Sequence, residues 1–167
     1  ALASLGLEPD FIYVSFIGRI TQIKRPDRFL QMVELVSLEN KNVKFLVAGG
    51  GDLLEECQKT ASEKELPVIF LGWRSDIENI LSASDIVVLT SDNEGTPLSL
   101  IQAGLAGKPT VSTNVGSVKE IVLDGTTGLI TELDSESLAA AVNSLVGDDV
   151  QRNNFGSAAS VHTHANY

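Results

Sequence analysis

Apolar residues along this chain follow two alternating patterns. Short continuous runs of β-branched, aliphatic and aromatic residues indicate buried strands, and longer segments between them carry apolar residues at helical spacing. The predicted strands are residues 11–17, 43–48, 68–71, 86–89, 110–112 and 129–131. The predicted helices are residues 25–38, 52–65, 75–81, a helix that begins after Thr96, and residues 135–146. This alternation predicts an α/β fold in which helices cover both faces of a parallel sheet.

The chain divides into three predicted segments. Residues 1–10 are predicted to form a linker or leading helix, residues 11–147 a single α/β domain, and the polar residues 148–167 a C-terminal helix or tail. Ser135 is the predicted N-cap of the last helix of the domain. A length of 167 residues suits one domain with a proper core and leaves no room for a second full domain.

The turn from the fourth strand into its helix carries the most informative residues. Glu94 lies in this turn, Thr96 is the predicted N-cap, and Pro97 is predicted to occupy the first turn of the helix. Amides at such a helix start favour anions, and a neighbouring carboxylate can hold sugar hydroxyls. Ligands of parallel sheets bind beyond the carboxyl ends of the strands. The turn therefore predicts a site for a polyhydroxylated, phosphorylated molecule.

The loop after the first strand, residues 18–24, adds two cations to the same edge of the sheet. Arg19 offers a fork that matches pairs of oxygens, Lys24 offers a point charge, and Gly18 permits close approach of a ligand. Spacing alone leaves two interpretations open. The two cations form a diphosphate clamp, or Arg19 pairs with a surface carboxylate while Lys24 is solvated.

Two further loops reach this edge. Residues 49–51 are all glycine, but Leu54 stands where a dinucleotide-binding fingerprint needs another glycine, so a tight turn from strand into helix is the favoured interpretation. Trp73, in the loop after the third strand, could stack on a base, although a lone tryptophan more often packs against the protein.

Several of these segments together resemble a known family. The Glu94 segment resembles the signature of retaining nucleotide-sugar glycosyltransferases with the two-domain GT-B fold, family 4. The matching residues are Glu94, Gly95, Pro97, Ala103, Ala106, Gly107 and Pro109. Gln102 departs from that signature, since the family usually has a glutamate there that hydrogen-bonds the donor ribose. Residues 18–24 resemble the family's Gly-Arg-Leu-x-x-x-Lys stretch, and residues 47–51 resemble its Val-x-Gly-x-Gly turn.

The resemblance implies a Rossmann-like, doubly wound parallel sheet that forms the donor-binding half of a GT-B enzyme. The implied reaction transfers a hexosyl group from a nucleoside diphosphate sugar to an acceptor, with retention. Arg19 and Lys24 would neutralise the leaving diphosphate, amides near Thr96 and Leu98 would assist, and Glu94 would hold the donor sugar. The other implied donor-binding residues are Gly18, Gly49, Gly51, Trp73, Gly95, Pro97 and Gln102.

The resemblance also sets expectations about partners. No metal or other cofactor is expected, and family frequency suggests a UDP-sugar as the donor. The family's N-terminal acceptor-binding domain is missing, so we expect an excised domain, with one subunit of a split enzyme as the alternative, and no sugar transfer by this chain alone. Two alternatives stay open: a nucleotide-sugar 2-epimerase domain, and a non-catalytic nucleotide-sugar-binding module to which Gln102 lends weight.

Composition limits the expected partners and the expected cellular location of the protein. A net charge of −10 argues against a nucleic-acid partner, because a phosphate backbone needs a concentrated positive face. The lone Cys57 suits a reducing compartment, and no run of about 18 apolar residues predicts a transmembrane segment. The expected location is cytoplasmic, with peripheral association at the inner face of a membrane as a further option.

Overall fold

The computed structural model describes residues 2–167; Ala1, the first residue of the predicted leading segment, lies outside them. The strands are β1 (Ile12–Ile17), β2 (Val43–Ala48), β3 (Val68–Gly72), β4 (Ile86–Leu89), β5 (Thr110–Thr113) and β6 (Gly128–Thr131). The helices are α1 (Pro26–Glu39), α2 (Leu54–Glu63), α3 (Ile77–Ala83), α4 (Leu98–Leu105), α5 (Val118–Ile121), α6 (Ser135–Val146) and α7 (Asp149–Asn166). Short 3-10 turns at Ala3–Leu5 and Gln22–Lys24 complete the described elements.

All strands pair in parallel, in the order β3-β2-β1-β4-β5-β6. The chain builds outward from β1 to β3 and then returns to place β4 on the other side of β1, where Val14 pairs with Ile86. The strand order therefore reverses between β1 and β4, which opens a crevice at their carboxyl ends. This architecture confirms the predicted Rossmann-like, doubly wound parallel sheet.

Apolar side chains cover both faces of the sheet, as the continuous apolar strands predicted. Val14 and Phe16 point from β1 into the larger core, where the Phe29 ring lies 5.2 Å from the Phe16 ring, between centroids. Tyr13, the residue before Val14, points to the opposite face and packs with Leu46. The central strands are thereby held rigidly, and the loops at their carboxyl ends start from fixed positions.

Both predicted helix caps are wrong. Asp134, not Ser135, caps α6, because its carboxylate accepts a hydrogen bond of 2.6 Å from the Ser137 amide. Pro97 rather than Thr96 occupies the N-cap position of α4, and no side chain bonds the first turn there. The start of α4 consequently presents amides that no capping side chain has claimed. Helix α5 was not predicted, since its four residues are too few to show a period.

The C-terminal helix α7 braces α4 through close backbone contacts. A Cβ added to Gly104 on α4 would lie 2.1 Å from the Thr163 hydroxyl, and one on Gly156 would lie 2.2 Å from the Gly107 carbonyl oxygen. Only glycine fits such contacts, and Thr163 is fully buried against α4. Helix α7 therefore fixes the position of the helix that follows the Glu94 turn.

No helix within residues 2–167 combines the length and the apolar character that crossing a membrane requires.

Candidate functional site at the β1–β4 crevice

Lys24 and Glu94 meet across the crevice between β1 and β4. Lys24 Nζ lies 2.5 Å from Glu94 Oε2, and the Ser91 hydroxyl donates to the same carboxylate oxygen at 2.7 Å. The Glu94 side chain is only 6% exposed, whereas that of Lys24 is 25% exposed. The two loops singled out in the sequence therefore converge on one site, with the carboxylate inside and the ammonium closer to solvent.

Hydrogen bonds to backbone carbonyl oxygens tie these two loops together directly. The Thr90 hydroxyl donates to the Lys24 carbonyl oxygen at 2.8 Å, and the Asp92 amide donates to the Ile23 carbonyl oxygen at 3.0 Å. Each bond spans the gap between the end of β1 and the end of β4. The separation of Lys24 and Glu94 is thus set by the backbone as well as by their own contact.

Arg25 leads the chain into α1 and strengthens the junction between the loop of Lys24 and the loop of Glu94. Its backbone adopts the left-handed conformation, with φ of 54°, and its guanidinium bonds Asp27 twice at 2.9 Å. It also donates to Asp92 at 3.2 Å. The hydrogen bonds from Arg25 lower the pKa of Asp27 and raise the pKa of Arg25 itself. These groups remain charged across the physiological range, so the junction keeps its ion pairs.

The loop after β5 supports the Glu94 turn from the other side. A Cβ added to Gly116 would lie 1.8 Å from the Glu94 carbonyl oxygen, and the Ser117 hydroxyl donates to the Gly95 carbonyl oxygen at 2.6 Å. Gly95 and Thr96 themselves are exposed, and a Cβ on Gly95 would meet open space. The loop of Gly116 and Ser117 therefore supports one side of the turn, and the other side is exposed to solvent.

Arg19 projects into an open concavity of about 470 Å³ beside the crevice. It is exposed, and within residues 2–167 it has no ion pair or hydrogen bond through its side chain. The residues lining the concavity are Ile17, Gly18, Arg19, Ala48, Gly49, Gly50, Trp73, Arg74 and Ile77. Arg74 differs from Arg19, because two 2.7 Å bonds commit its guanidinium to Asp76 and lower the pKa of that carboxyl. Of the two arginines in this concavity, Arg19 is thus the one whose guanidinium has no partner within residues 2–167.

The glycines between β2 and α2 bring their loop against the loop after β1. A Cβ on Gly49 would lie 1.8 Å from the Gly18 carbonyl oxygen, at a φ of 149° that favours glycine. A Cβ on Gly51 would lie 2.4 Å from the Ile20 carbonyl oxygen. Gly51 does not line the concavity, so the contact that the structure gives it is with the Ile20 backbone. Close packing of the two loops requires both glycines.

Trp73, Leu98 and Gln102 present side chains to solvent around the site. Trp73 is 80% exposed at the concavity and Leu98 65% exposed at the start of α4, while Gln102 lies one turn further along that helix. The first intrahelical bonds of α4 run to the Pro97 carbonyl oxygen, so the amides of Leu98 and Ser99 lack intrahelical acceptors. Such amides can hold an anion beside Lys24.

Sequence reasoning missed Arg28 and Asp92. Arg28 is 5% exposed, and its guanidinium donates to the Thr90 carbonyl oxygen at 2.9 Å and pairs with Asp92 at 2.8 Å. A signal existed, because Arg28 lies four residues before Met32 and eight before Val36, on the apolar stripe of α1. A charged residue in register with an apolar stripe predicts a buried partner.

Within the described residues 2–167, no three or more histidine, cysteine, aspartate and glutamate side chains are placed to hold a metal ion together.

Comparisons with known proteins place this chain in a family. The model of the family described as "Glycosyl transferases group 1" matches residues 2–162. An Escherichia coli UDP-Gal:alpha-D-GlcNAc-diphosphoundecaprenol alpha-1,3-galactosyltransferase is 30% identical over 148 residues, 85% of this chain and 38% of the relative. A D-inositol 3-phosphate glycosyltransferase of Rhodococcus erythropolis is 33% identical over 159 residues, 87% of this chain and 36% of the relative.

Solved structures share the fold of this chain. S. aureus TarM in a complex that contains UDP superposes with a TM-score of 0.88 at 28% identity, over 96% of this chain and 34% of TarM. Anabaena HepE in complex with UDP-glucose superposes with a TM-score of 0.88 at 25% identity, over 98% of this chain and 46% of HepE. This chain spans between 34% and 46% of the length of these relatives. It belongs to the glycosyl transferases group 1 family.

Proposed function

We propose that this chain is the donor-binding half of a glycosyltransferase that moves a hexosyl group from a nucleoside diphosphate sugar to an acceptor, with retention. The observation that carries the proposal is the convergence of Lys24 and Glu94 across the β1–β4 crevice, with Nζ and Oε2 2.5 Å apart. A cation and a carboxylate side by side suit a ligand that joins a phosphate to hydroxyl groups. A sugar attached to a diphosphate has that composition.

Each site residue then has a defined task. Arg19, which has no side-chain partner within residues 2–167, binds the diphosphate with Lys24, and the amides at the start of α4 add positive potential. Glu94 accepts hydrogen bonds from hydroxyls of the donor sugar. These groups stabilise the negative charge that grows on the diphosphate as the glycosidic bond breaks. Because these cations and amides supply the positive charge, the proposal needs no metal ion.

The base and ribose occupy the neighbouring concavity in this proposal. Trp73 at its rim offers an exposed ring for stacking, and the glycine loop at Gly49 allows the ligand to approach the backbone. Uridine is the proposed base, which the UDP and UDP-glucose bound in the TarM and HepE structures support. Gln102 lies on α4 where the family signature has the ribose-binding glutamate.

The acceptor surface belongs to another part of the full-length protein in this proposal. The proposed site residues lie at one edge of one sheet, while transfer needs an acceptor aligned against the anomeric carbon. Because the crevice is open, water screens the charges of Arg19 and Lys24 more than in a closed site. We also propose a cytoplasmic location, with peripheral membrane association supported by the diphosphoundecaprenol in the name of the E. coli relative.

The test compares residues 1–167 with the full-length protein, using UDP-galactose, UDP-glucose and their guanosine and adenosine counterparts. We expect donor binding by both and transfer to acceptor by the full-length protein alone. Release of an epimerised nucleotide sugar would indicate a 2-epimerase instead. Donor binding without turnover by the full-length protein would indicate a binding module. Comparable transfer by both proteins would contradict the half-enzyme account.

A further inference from the structure

Arg28 is a buried cation next to the site but not in it. It lies in the first turn of α1 and is 5% exposed, between the helix and the end of β4. Its Nη1 donates to the Thr90 carbonyl oxygen at 2.9 Å, and its Nη2 lies 2.8 Å from Asp92 Oδ1. A guanidinium this buried is costly unless both its charge and its donors are satisfied, as they are here.

The two acceptors of Arg28 are the residues that lead to Glu94. Thr90 directly follows β4, Asp92 comes two residues later, and Glu94 follows two residues after that. The bonds of Arg28 therefore anchor the start of the Glu94 turn to α1. The other end of the same junction is Lys24, whose carbonyl oxygen accepts from the Thr90 hydroxyl at 2.8 Å.

Asp92 is shared between two guanidinium groups. Arg28 approaches Oδ1 at 2.8 Å, and Arg25 Nη1 lies 3.2 Å from both carboxylate oxygens. Since Arg25 immediately follows Lys24 in the chain, Asp92 bridges both loops of the crevice through charged contacts. Moving Arg28 would release one side of this bridge and leave the other intact.

We propose that Arg28 is a positioning residue, which sets the separation of Lys24 and Glu94 and thereby matches the phosphate and sugar parts of the site to one ligand. The inference rests on the proposed function. Arg28 touches no ligand; it acts through Thr90 and Asp92. Substitution of Arg28 should therefore weaken the binding of ligands that contact both Lys24 and Glu94. The binding of the base alone should stay unchanged.

The experiment measures binding of UDP-galactose, UDP-glucose and uridine to the wild-type chain and to Arg28→Met, by calorimetry or by NMR titration where binding is weak. Methionine keeps an apolar side chain of similar length and removes every donor. The matched control is Arg152→Met, because Arg152 also donates to backbone carbonyl oxygens, those of Leu145 and Val146, far from the crevice. Unfolding by urea checks both variants for stability.

We expect Arg28→Met to bind the nucleotide sugar roughly tenfold more weakly, the size of a lost charged hydrogen bond, and to bind uridine as the wild type does. Arg152→Met should bind both ligands as the wild type does. Arg28→Lys, which keeps the charge and one donor contact, should recover part of the loss. Equal losses for sugar nucleotide and uridine, or equal behaviour of the two methionine variants, would overturn the positioning role.

Asp92→Asn serves if Arg28→Met does not fold, because it keeps the Arg28 bond to Thr90 and removes the charge that joins the two loops. A selective loss of nucleotide-sugar binding supports the inference, and an unselective loss or no loss overturns it. A wild-type chain that binds uridine but not the nucleotide sugar would overturn the proposed function itself. If the wild-type chain binds the nucleotide sugar, and Arg28→Met loses equal affinity for the nucleotide sugar and for uridine, the positioning role alone is overturned.

Discussion

Glu94 and Lys24 neutralise each other in the site, with Oε2 and Nζ 2.5 Å apart and the carboxylate almost fully buried. Any phosphate that binds Lys24 must compete with Glu94 for the same ammonium. A free nucleoside diphosphate would leave Glu94 short of a partner. A nucleotide sugar would replace the lost contact with its own hydroxyl groups, so under the proposed function the pair would favour donor over product.

The first prediction follows from that competition. Glu94→Gln should tighten binding of UDP by about 1 kcal/mol, roughly fivefold in Kd, because Lys24 no longer shares its charge with a carboxylate. It should weaken binding of UDP-glucose relative to UDP. Calorimetry of both ligands measures the ratio, with Glu120→Gln as the control for loss of one exposed negative charge. Weaker UDP binding by Glu94→Gln would show that the pair does not restrain Lys24.

The second prediction concerns Arg19. Arg19→Ala should weaken UDP binding by roughly 1.5–3 kcal/mol, the range for charged hydrogen bonds, and leave uridine binding nearly unchanged. Arg74→Ala is the matched control, because Arg74 lines the same concavity but is committed to Asp76. Its effect on UDP binding should be smaller. Equal losses for uridine and UDP in Arg19→Ala would place Arg19 away from the phosphates.

The third prediction uses Gln102, which is exposed on α4 at the position of the family's ribose-binding glutamate. Gln102→Glu should increase the preference for UDP over its 2′-deoxy analogue by about 1 kcal/mol, because a carboxylate accepts stronger hydrogen bonds than an amide. The deoxy ligand controls for the added charge. An unchanged ratio would mean that the side chain at this position does not contact ribose.

The fourth prediction tests the brace between α4 and α7. Gly104→Ala should destabilise the chain by about 1–3 kcal/mol, because its Cβ would lie 2.1 Å from the Thr163 hydroxyl. A Thr163→Ala background removes the 2.1 Å contact and keeps one of 3.1 Å with the Cβ at position 163, so the same substitution should destabilise the chain distinctly less there. Urea unfolding of the four proteins measures both values. A similar loss in both backgrounds would contradict the contact.

The fifth prediction concerns acid stability at the Asp92 bridge. Burial raises the pKa of Asp92, but hydrogen bonds from Arg25 and Arg28 outweigh it, so the pKa lies below the ordinary value. The ionised carboxylate therefore stabilises the fold above the unfolded pKa, about 3.9, and this contribution is lost as the pH falls through the lower folded pKa. The free energy of unfolding of Asp92→Asn should depend less on pH below about 4. Parallel pH profiles for the variant and wild type would contradict the bridge.

Parts of the fold and of the site were predictable from the sequence because they depend on local patterns. Continuous apolar strands predicted the parallel sheet, and the strand-end positions of Lys24 and Glu94 predicted a shared edge. The cap at Asp134 was missed because Ser135, an equally good capping residue, stands beside it. The contact between Gly104 and Thr163 joins residues far apart in sequence, which no local pattern reports.

The most direct test maps the amide chemical-shift changes of the wild-type chain as UDP-glucose is added. The largest changes are expected at Gly18, Gly49, residues 94–96 and Leu98, with smaller changes at Trp73 and at the amide of Gln102. Uridine alone is expected to reproduce only the changes near Trp73. Changes confined to other surfaces, or none at this edge with uridine, guanosine or adenosine diphosphate, would contradict the claim that the β1–β4 crevice binds a nucleoside diphosphate sugar.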